Sequence, residues 1–348
     1  IAGSVFDHGL ALNVPRWLGV YGAGFVAAVV AATGLAWRNR VGFSLRQRGL
    51  ALAGAGVVAA MALVPPQIRT ASAATSYQGG ELRIAGTQLE FPAVPDVLAA
   101  LDRLVAKHSG AELLVLSEYT FETPVPPSVK NWCRAHHRYL LAGAKQFAGS
   151  GKYYNIASVI GPDGLEVFQQ AKSVPIQFFQ DGIPAAHQSV WQSPWGTVGI
   201  CVCYDLSYAR VTDELIRQGA RALIVPAMDV ADWGEHQHEL NRRVAFTRAA
   251  EYGVPIFRLA SSGISQLVDH TGLELANAPF PGTEEMIHGT LDLETSNRPT
   301  LPWDRALASG CVAITASLVA FFLAVRARKR LSLLWSKSRS IATVPENS

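Results

Sequence analysis

The sequence predicts an α/β fold for the middle of the chain, and three observations point to it. From about Glu81 to Leu293, short apolar runs alternate with amphipathic stretches, as in α/β architectures. Two turn sequences, Gly-Pro-Asp-Gly at 161–164 and Asp-His-Thr-Gly at 269–272, separate consecutive apolar runs. The unit spans roughly 235 residues, which is ample for one hydrophobic core.

The strands are predicted from short apolar runs, because such runs bounded by turn residues are typical of buried strands. The runs lie at 81–87, 112–117, 139–144, 154–161, 197–203, 222–226, 254–259, 264–269 and 287–293. A further strand is expected around Val167. Helices are predicted between these runs, where apolar residues recur at helical spacing. These stretches are 97–105, 211–216 and 239–251.

Outside this unit, three uncharged stretches are long enough to cross a bilayer at 1.5 Å per residue. They are residues 17–37, 49–68 and 306–325. The composition supports them, because 49% of the chain is hydrophobic and only 16% is charged, against roughly 25% charged in a typical soluble domain. The sequence therefore predicts a membrane protein and excludes a disordered or fully soluble one.

Basic residues beside these stretches predict their orientation. Four arginines and no acid lie at 38–48, and six basic residues lie at 326–339. Under the positive-inside rule both segments are cytoplasmic, so the chain between the second and third stretches faces the outside. We therefore expect two transmembrane helices in 1–68, an extracytoplasmic catalytic domain at 69–304, and a transmembrane helix with a basic tail at 305–348. Because the chain starts at Ile1, we also expect a longer membrane region before it.

The net charge of +3 is divided unevenly along the chain. Residues 70–304 hold 17 basic and 25 acidic side chains, a net charge of −8, so the positive charge belongs to the membrane flanks. The outer unit is acidic, which removes the support for nucleic-acid binding. Four cysteines in 348 residues do not make a disulfide scaffold.

Three reactive side chains follow predicted strands, and strand ends are where α/β folds expose functional groups. Glu118 follows 112–117, Lys172 follows the strand around Val167, and Cys203 ends 197–203. A carboxylate can take a proton from a thiol, and a lysine can hold a developing oxyanion, so together they could support acyl transfer through a thioester. On position alone, two surface charges and a buried, inert cysteine remain the commoner explanation.

Four local sequences resemble the nitrilase (carbon–nitrogen hydrolase) superfamily, in the family's order. They are LLVLSEYTF (113–121), YYNIASVIGPDG (153–164) with QAKSVP (170–175), GICVCYDLSY (199–208) and RAAEYGVPIFRLASSGIS (248–265). With its membrane stretches the chain is similar to the apolipoprotein N-acyltransferase branch. The resemblance covers about residues 81–295 and implies a four-layer αββα nitrilase-type sandwich, here flanked by transmembrane helices.

The resemblance implies Glu118 as the general base, Lys172 as the group that stabilises the tetrahedral intermediate and Cys203 as the nucleophile, with no cofactor and no metal. It implies that an acyl group passes from a phospholipid to Cys203 and then to the N-terminal amine of a lipoprotein. The expected location is the bacterial inner (plasma) membrane, with the catalytic domain periplasmic or extracytoplasmic. A membrane-anchored amidase or nitrilase that uses water, and a catalytically silent scaffold, are the alternatives.

Two motifs depart from the family. Its acyltransferases usually have Trp-Pro-Glu or a similar run at the first site, whereas this chain has Leu-Ser-Glu at 116–118. They also tend to have Val-Pro-Phe-Gly-Glu after the lysine, whereas this chain has Val-Pro-Ile-Gln-Phe at 174–178. Gln177 or Asp181 would have to take the place of the assisting glutamate.

Cys201 is an alternative nucleophile, because two positions apart on a strand it would share a face with Cys203. Only Cys203 directly precedes Tyr-Asp, which favours it. Packing is the expected role of Cys201, and a Cys133–Cys201 disulfide is the alternative in an extracytoplasmic domain.

Other side chains near the predicted site have two interpretations each. His236 and His238 indicate either a metal site or, preferably, a polar loop over the active site. Lys145 lacks the Lys-X-Val-Pro context of Lys172 and is expected to be solvated. A set of large apolar side chains either packs in the core or forms a mouth that admits acyl chains. This set comprises Phe178, Phe179, Ile183, Trp191, Trp195 and Trp233.

Overall fold

In the computed structural model the chain divides into two units, residues 1–302 and 303–348. The structure describes residues 13–38, 80–177, 179–293 and 301–341, with isolated positions between 44 and 60. Within these residues the first unit contains two six-stranded sheets. The second unit is a long helix, Asp304–Ile341.

The strands, in chain order, are β1 (Glu81–Thr87), β2 (Leu113–Val115), β3 (Tyr139–Gly149), β4 (Lys152–Ile160), β5 (Glu166–Ala171), β6 (Val190–Ser193), β7 (Gly196–Ile200), β8 (Ala222–Ala227), β9 (Ile256–Ala260), β10 (Ser265–Val268), β11 (Glu274–Ala278) and β12 (Met286–Asp292). Sheet one has the order β12-β1-β2-β3-β4-β5, and sheet two has the order β11-β10-β9-β8-β7-β6. Both sheets are mixed. Strands β1, β2 and β3 are parallel, as are β7, β8 and β9, and the remaining pairs are antiparallel.

The two sheets pack face to face, and alternate residues of their central strands fill the space between them. Leu113 and Val115 of β2 lie in this central core with Ile224 of β8, whereas Leu114 and Leu223 point to the opposite faces of their strands. Both faces are therefore buried, which explains why these strands are continuous apolar runs rather than alternating ones.

Helices cover the outer face of each sheet. The helices are α1 (Asn13–Arg38), α2 (Val94–Lys107), α3 (Pro127–His136), α4 (Ala209–Arg217), α5 (Glu235–Tyr252) and α6 (Asp304–Ile341). Helices α2 and α3 pack on sheet one, and α4 and α5 pack on sheet two. The layers run α-β-β-α, which confirms the predicted α/β sandwich.

Every predicted strand and helix of the central unit has a counterpart, although the bounds differ. Strands β6 and β11 and helix α3 are additional. The strand predicted at 197–203 is too long, because β7 ends at Ile200 and Cys203 begins a 3₁₀ helix that ends at Ser207. The prediction that Cys201 and Cys203 share one face of a strand is therefore wrong, because both lie beyond the end of β7.

Helix α1 contains the first predicted membrane stretch. Its segment Asn13–Leu35 has a mean hydropathy of 1.8 and is long and apolar enough to cross a bilayer, the one such helix in the part of the chain that the structure describes. Most of the second stretch, 49–68, lies outside the described residues. The third, 306–325, lies within α6, and its membrane role stays a prediction together with the orientation of all three.

Helix α1 is interrupted at Gly19, whose φ of 70° and ψ of 174° are not helical. The helix contacts α5, and Val14 and Ala23, which lie on either side of this interruption, are buried. Val20, the first residue after the interruption, donates its backbone N–H to Glu251 Oε1 at 3.1 Å. The apolar helix thus packs against α5 and also contains the first predicted span.

Candidate active site

The three predicted site residues come from two sheets and meet at one end of the sandwich. Glu118 lies three residues beyond β2, Lys172 directly follows β5, and Cys203 lies three residues beyond β7. Lys172 Nζ is 2.8 Å from Glu118 Oε1, and the charges of both residues act on the Cys203 thiol. The structure therefore brings the predicted trio together.

Lys172 forms a second ion pair, and its partner is one of the two residues expected to replace the family's assisting glutamate. Its Nζ lies 2.7 Å from Asp181 Oδ2, so Asp181, one of the two candidate substitutes, occupies the place beside the lysine. Tyr119 Oη donates to Asp181 Oδ1 at 2.6 Å, and Ile176 N donates to Oδ2 at 2.8 Å. Gln177 has no described contact with the lysine.

Two further donors hold Glu118. Asn155 Nδ2, on β4, donates to Glu118 Oε1 at 2.6 Å and to Asp181 Oδ1 at 3.0 Å, so it spaces the two carboxylates. The backbone N–H of Met228, just past β8 of sheet two, donates to Glu118 Oε2 at 2.8 Å. Glu118 and Lys172 are each 1% exposed, which means that the pair is desolvated.

The charges of this cluster compensate one another. Burial acts to lower the pKa of Lys172, but the negative charges of Glu118 and Asp181 outweigh it and raise that pKa. Burial acts to raise the pKa of Asp181, but Lys172 and the hydrogen bonds hold it below its ordinary value. At neutral pH the site therefore presents an ammonium group beside a carboxylate.

Cys203 is held in an uncommon backbone conformation. Its φ of 52° is left-handed, which costs about 1 kcal/mol or more for a residue with a Cβ. Burial and the charge of Glu118 raise the pKa of its thiol well above the ordinary value. The resting group is a thiol, so a nucleophilic attack needs a base to take its proton.

The other cysteines have structural surroundings. Cys201 is fully buried in the apolar layer between sheet two and its helices, and burial raises the pKa of its thiol. Cys133 lies in the layer between sheet one and its helices. Both are free thiols, so the disulfide alternative is wrong and packing is confirmed.

Asp205 fastens the Cys203 turn to the segment that carries Lys172. Its carboxylate accepts hydrogen bonds from the backbone N–H groups of Ser173 at 3.1 Å and Val174 at 2.8 Å. Asp205 is fully buried, and burial raises its pKa to about 6 despite these donors. The Tyr-Asp part of the nucleophile motif thus joins the two sheets.

The raised pKa of Asp205 predicts a specific pH dependence of stability. Between its ordinary value of 3.8 and about 6, the folded protein binds this proton more tightly than the unfolded chain. The stabilisation is therefore complete below the lower value and is lost as the pH rises through the upper one. We expect the free energy of unfolding of the wild type, relative to Asp205→Asn, to fall by up to about 3 kcal/mol over this interval. Denaturant titrations at several pH values measure this difference, and parallel curves for the two proteins would contradict it.

A cavity of about 460 Å³ opens at Cys203. Its apolar lining residues are Ile176, Phe179, Tyr204, Leu206, Trp233 and Val244, and its polar ones are Ser207, Asp229, Gln237, Asn241 and Arg258. In the wall Arg258 Nη2 lies 2.5 Å from Asp229 Oδ2. Burial acts against ionisation of Asp229, but Arg258 and His238 lower its pKa to about 2. The exposed lining of the cavity is therefore mainly apolar, with one compensated ion pair and a few neutral polar groups.

The two histidines and Lys145, which are the remaining candidates, lie in different surroundings. His236 is exposed and His238 is buried against Phe280, because positions two apart on α5 face different sides. No group of three or more His, Cys, Asp or Glu side chains that could hold a metal ion occurs among the described residues. Lys145 is not solvated as expected: its ammonium pairs with Glu122 and lies 4.9 Å from the centre of the Tyr153 ring.

The predicted apolar set divides between core and cavity. Trp191 lies in the core between the sheets with Trp195 against it, and both pack on Tyr139. Phe179 and Trp233 line the cavity and are partly exposed. Phe178 lies outside the described residues.

Gly143 on β3 provides a test of how tightly Glu118 is held. A Cβ at this position would lie 2.5 Å from Glu118 Cα and 2.5 Å from Tyr119 N, which are backbone atoms that cannot rotate away. We expect Gly143→Ala to lower the free energy of unfolding by about 1–3 kcal/mol and to lower activity by displacing Glu118. Gly110→Ala is the control, since its nearest side-chain atom would be 3.6 Å away. Equal stability and activity of the two variants would contradict the prediction.

Comparison with known proteins places this site in context. The profile that describes the carbon-nitrogen hydrolase family matches residues 61–298. Omega-amidase NIT2-B of Xenopus laevis is 28% identical over 176 residues, which is 45% of this chain and 62% of that protein. Deaminated glutathione amidase of a Synechocystis species is 29% identical over 165 residues, 40% of this chain and 59% of that protein. The match thus spans about three fifths of the length of these relatives.

Solved structures show the same fold. A carbon-nitrogen hydrolase from Helicobacter pylori G27 superimposes with a TM-score of 0.55 at 18% identity, over 63% of this chain and 92% of that one. Saccharomyces cerevisiae Nit3, a member of branch 10 of the nitrilase superfamily, gives a TM-score of 0.54 at 19% identity, with the same coverage.

Proposed function

Since this chain belongs to the carbon–nitrogen hydrolase family, we propose that it is a cysteine-dependent amidase that cleaves carboxylic amides through a thioester on Cys203. One observation carries the proposal: a desolvated lysine is held between two carboxylates, Glu118 and Asp181, beside a thiol that opens into a cavity. Relatives that are 28–29% identical to the matched part of the chain are amidases.

The first half of the reaction forms the thioester. Glu118 takes the proton from Cys203 Sγ as the sulfur attacks the carbonyl carbon of the amide, and the C–S bond forms. The carbonyl oxygen becomes an oxyanion. Two of the three hydrogens on Lys172 Nζ are directed to Glu118 and Asp181, and the third is the donor for this oxyanion. The C–N bond then breaks, and Glu118 returns the proton to the departing amine.

The second half releases the acyl group. Glu118 takes a proton from water, the hydroxide oxygen attacks the thioester carbon, and Lys172 again holds the oxyanion. Collapse of this intermediate breaks the C–S bond, gives a carboxylic acid and returns the proton to the sulfur. Asp181 does not transfer a proton in either half; it keeps Lys172 charged and oriented.

The cavity indicates the kind of acyl group. Its lining is mostly apolar, and the Asp229–Arg258 pair in its wall is already compensated. An apolar acyl chain would gain about 25 cal/mol for each Å² that it buries there. Short polar amides would gain little.

A second function is supported by helix α1. An apolar helix packed against the catalytic unit would place the cavity at a membrane, where phospholipid supplies acyl groups. An N-acyltransferase would then use the same Glu118, Lys172 and Cys203, with the N-terminal amine of a lipoprotein in place of water. The three predicted spans, with the catalytic unit on the extracytoplasmic side of a bacterial plasma membrane, belong to this candidate. Exclusion of water from the cavity would favour transfer over hydrolysis.

One experiment separates the two functions. The protein is incubated either with a series of aliphatic carboxamides or with phosphatidylethanolamine vesicles and a lipopeptide that has a free N-terminal amine. Intact mass spectrometry detects an acyl thioester, and the Cys203→Ala variant controls for its position. Release of ammonia, rising with chain length, supports the amidase. An N-acylated lipopeptide supports the acyltransferase, and the absence of both products and of a thioester would overturn the proposal.

A further inference from the structure

A buried arginine outside the cavity holds the turn that carries the nucleophile. Arg248 of α5 donates from Nε to the carbonyl oxygen of Leu206 at 3.0 Å and from Nη2 to that of Ser207 at 2.7 Å. These two residues end the 3₁₀ helix that Cys203 begins. The planar guanidinium fork thus fixes the position and direction of the helix from its far end.

Arg248 is in turn held by an acid on its own helix. Its Nη1 pairs with Glu251 Oε2, three positions further along α5. Both residues are 3% exposed, so neither charge has solvent to compensate it. A buried ion pair of this kind is costly unless its remaining hydrogen-bonding groups are satisfied, which the two carbonyl contacts do for the arginine.

The acid is satisfied by helix α1. Glu251 Oε1 accepts the backbone N–H of Val20 at 3.1 Å. Because Gly19 interrupts α1, Val20 begins a new helical segment, and the N–H groups at such a start have no partner within the helix. The partial positive charge of a helix start also favours a carboxylate at this place.

We propose that Arg248 is a positioning residue for Cys203 and that Glu251 and the start of the second segment of α1 hold it in place. Helix α1 then supports the nucleophile as well as any membrane attachment. The inference rests on the proposed function only in that Cys203 is the nucleophile. Arg248 is not among the residues that line the described cavity, so it acts through the turn rather than on a substrate.

Substitution of Arg248 tests its contact with the turn that carries Cys203. Arg248→Lys keeps the charge, but its single nitrogen cannot reproduce the contacts that Nε, Nη2 and Nη1 make with the two carbonyls and Glu251. We expect kcat to fall by about 100-fold, as misplacement of a reacting group by about 1 Å does, with KM little changed. The rate at which iodoacetamide alkylates Cys203 should fall as well. Arg242→Lys is the matched control, since Arg242 of the same helix pairs with Glu239 and Glu274 and has no described contact with the turn.

Substitution of Val20 in α1 tests the hydrogen bond between its backbone N–H and Glu251. Proline is tolerated at the first position of a helix, and it lacks the N–H, so Val20→Pro removes the donor to Glu251 and keeps the helical segment. We expect a fall in kcat and in alkylation rate of about threefold to tenfold, whereas Val20→Ala, which keeps the N–H, should match the wild type. Glu251→Gln provides a second measurement, since it keeps the shape and removes the charge.

The outcomes distinguish this inference from the proposed function. Unchanged kcat and alkylation rate in folded Arg248→Lys, or equal behaviour of Val20→Pro and Val20→Ala, would overturn the positioning role while Cys203 stays the nucleophile. Full activity of Cys203→Ala would overturn the proposed function instead. A rise in KM at constant kcat would also contradict positioning, because it would mean that Arg248 affects substrate binding.

Discussion

Replacement of Cys203 by alanine is expected to lower the rate of amide cleavage or acyl transfer by at least about 1000-fold. The reason is that no thioester can form, and the remaining groups can only polarise the carbonyl and orient water. The variant should fold normally, since the smaller side chain suits the left-handed φ of 52° no worse than cysteine does. Steady-state rates and the loss of the acyl adduct by mass spectrometry measure the effect.

Cys201→Ala is the matched control for this variant. Cys201 lies two positions away but is fully buried among apolar side chains. Its replacement should cost about 1 kcal/mol of stability and leave kcat nearly unchanged. Loss of activity in Cys201→Ala with retention in Cys203→Ala would reverse the assignment of the nucleophile.

Lys172→Met is expected to have the second largest effect, on activity and on stability together. Methionine has nearly the same length but no charge, so Glu118 and Asp181 would be left as buried carboxylates without their cation. Removing one partner of a buried pair costs about 3–5 kcal/mol. The oxyanion would also lose its donor, which costs activity about 100-fold or more.

A double variant tests whether the loss of stability in Lys172→Met comes from the uncompensated carboxylates. Adding Glu118→Gln to Lys172→Met removes one of the two stranded carboxylates, so the double variant should be more stable than Lys172→Met alone while staying inactive. Chemical unfolding of the wild type, Lys172→Met, Glu118→Gln and the double variant gives the four free energies from which the coupling follows. Additive losses would show that Lys172 contributes through packing, and would contradict the ion-pair interpretation.

Most strands could be predicted because the apolar pattern that identifies a buried strand is contained in its own few residues. The runs that became β2 and β8 are apolar on both faces, and a buried strand between two layers requires that pattern. Strands β6 and β11 were missed because they are the two edges of sheet two and carry polar side chains toward solvent. The end of β7 was misplaced because Cys201 and Val202 continue the apolar pattern after the strand has stopped.

The site was only partly predictable, for a related reason. Glu118, Lys172 and Cys203 each follow a strand and carry a recognisable motif, so sequence reasoning could find them. Asn155 is a polar residue inside an apolar strand, and that was the signal available for it. The donor from Met228 is a backbone group, which no side-chain pattern reveals. Asp181 was named as one of two substitutes, and only the tertiary fold distinguishes it from Gln177.

The proposed base and the proposed nucleophile are contributed by opposite halves of the sandwich. Glu118 and Lys172 follow strands of sheet one, whereas Cys203 and the Met228 donor follow strands of sheet two. Neither half of the chain alone contains a complete set of reacting groups. The proposed arrangement of base, lysine and nucleophile therefore forms only when both sheets have docked. A variant that weakens the packing between the sheets should then lose activity even if each sheet keeps its own strands.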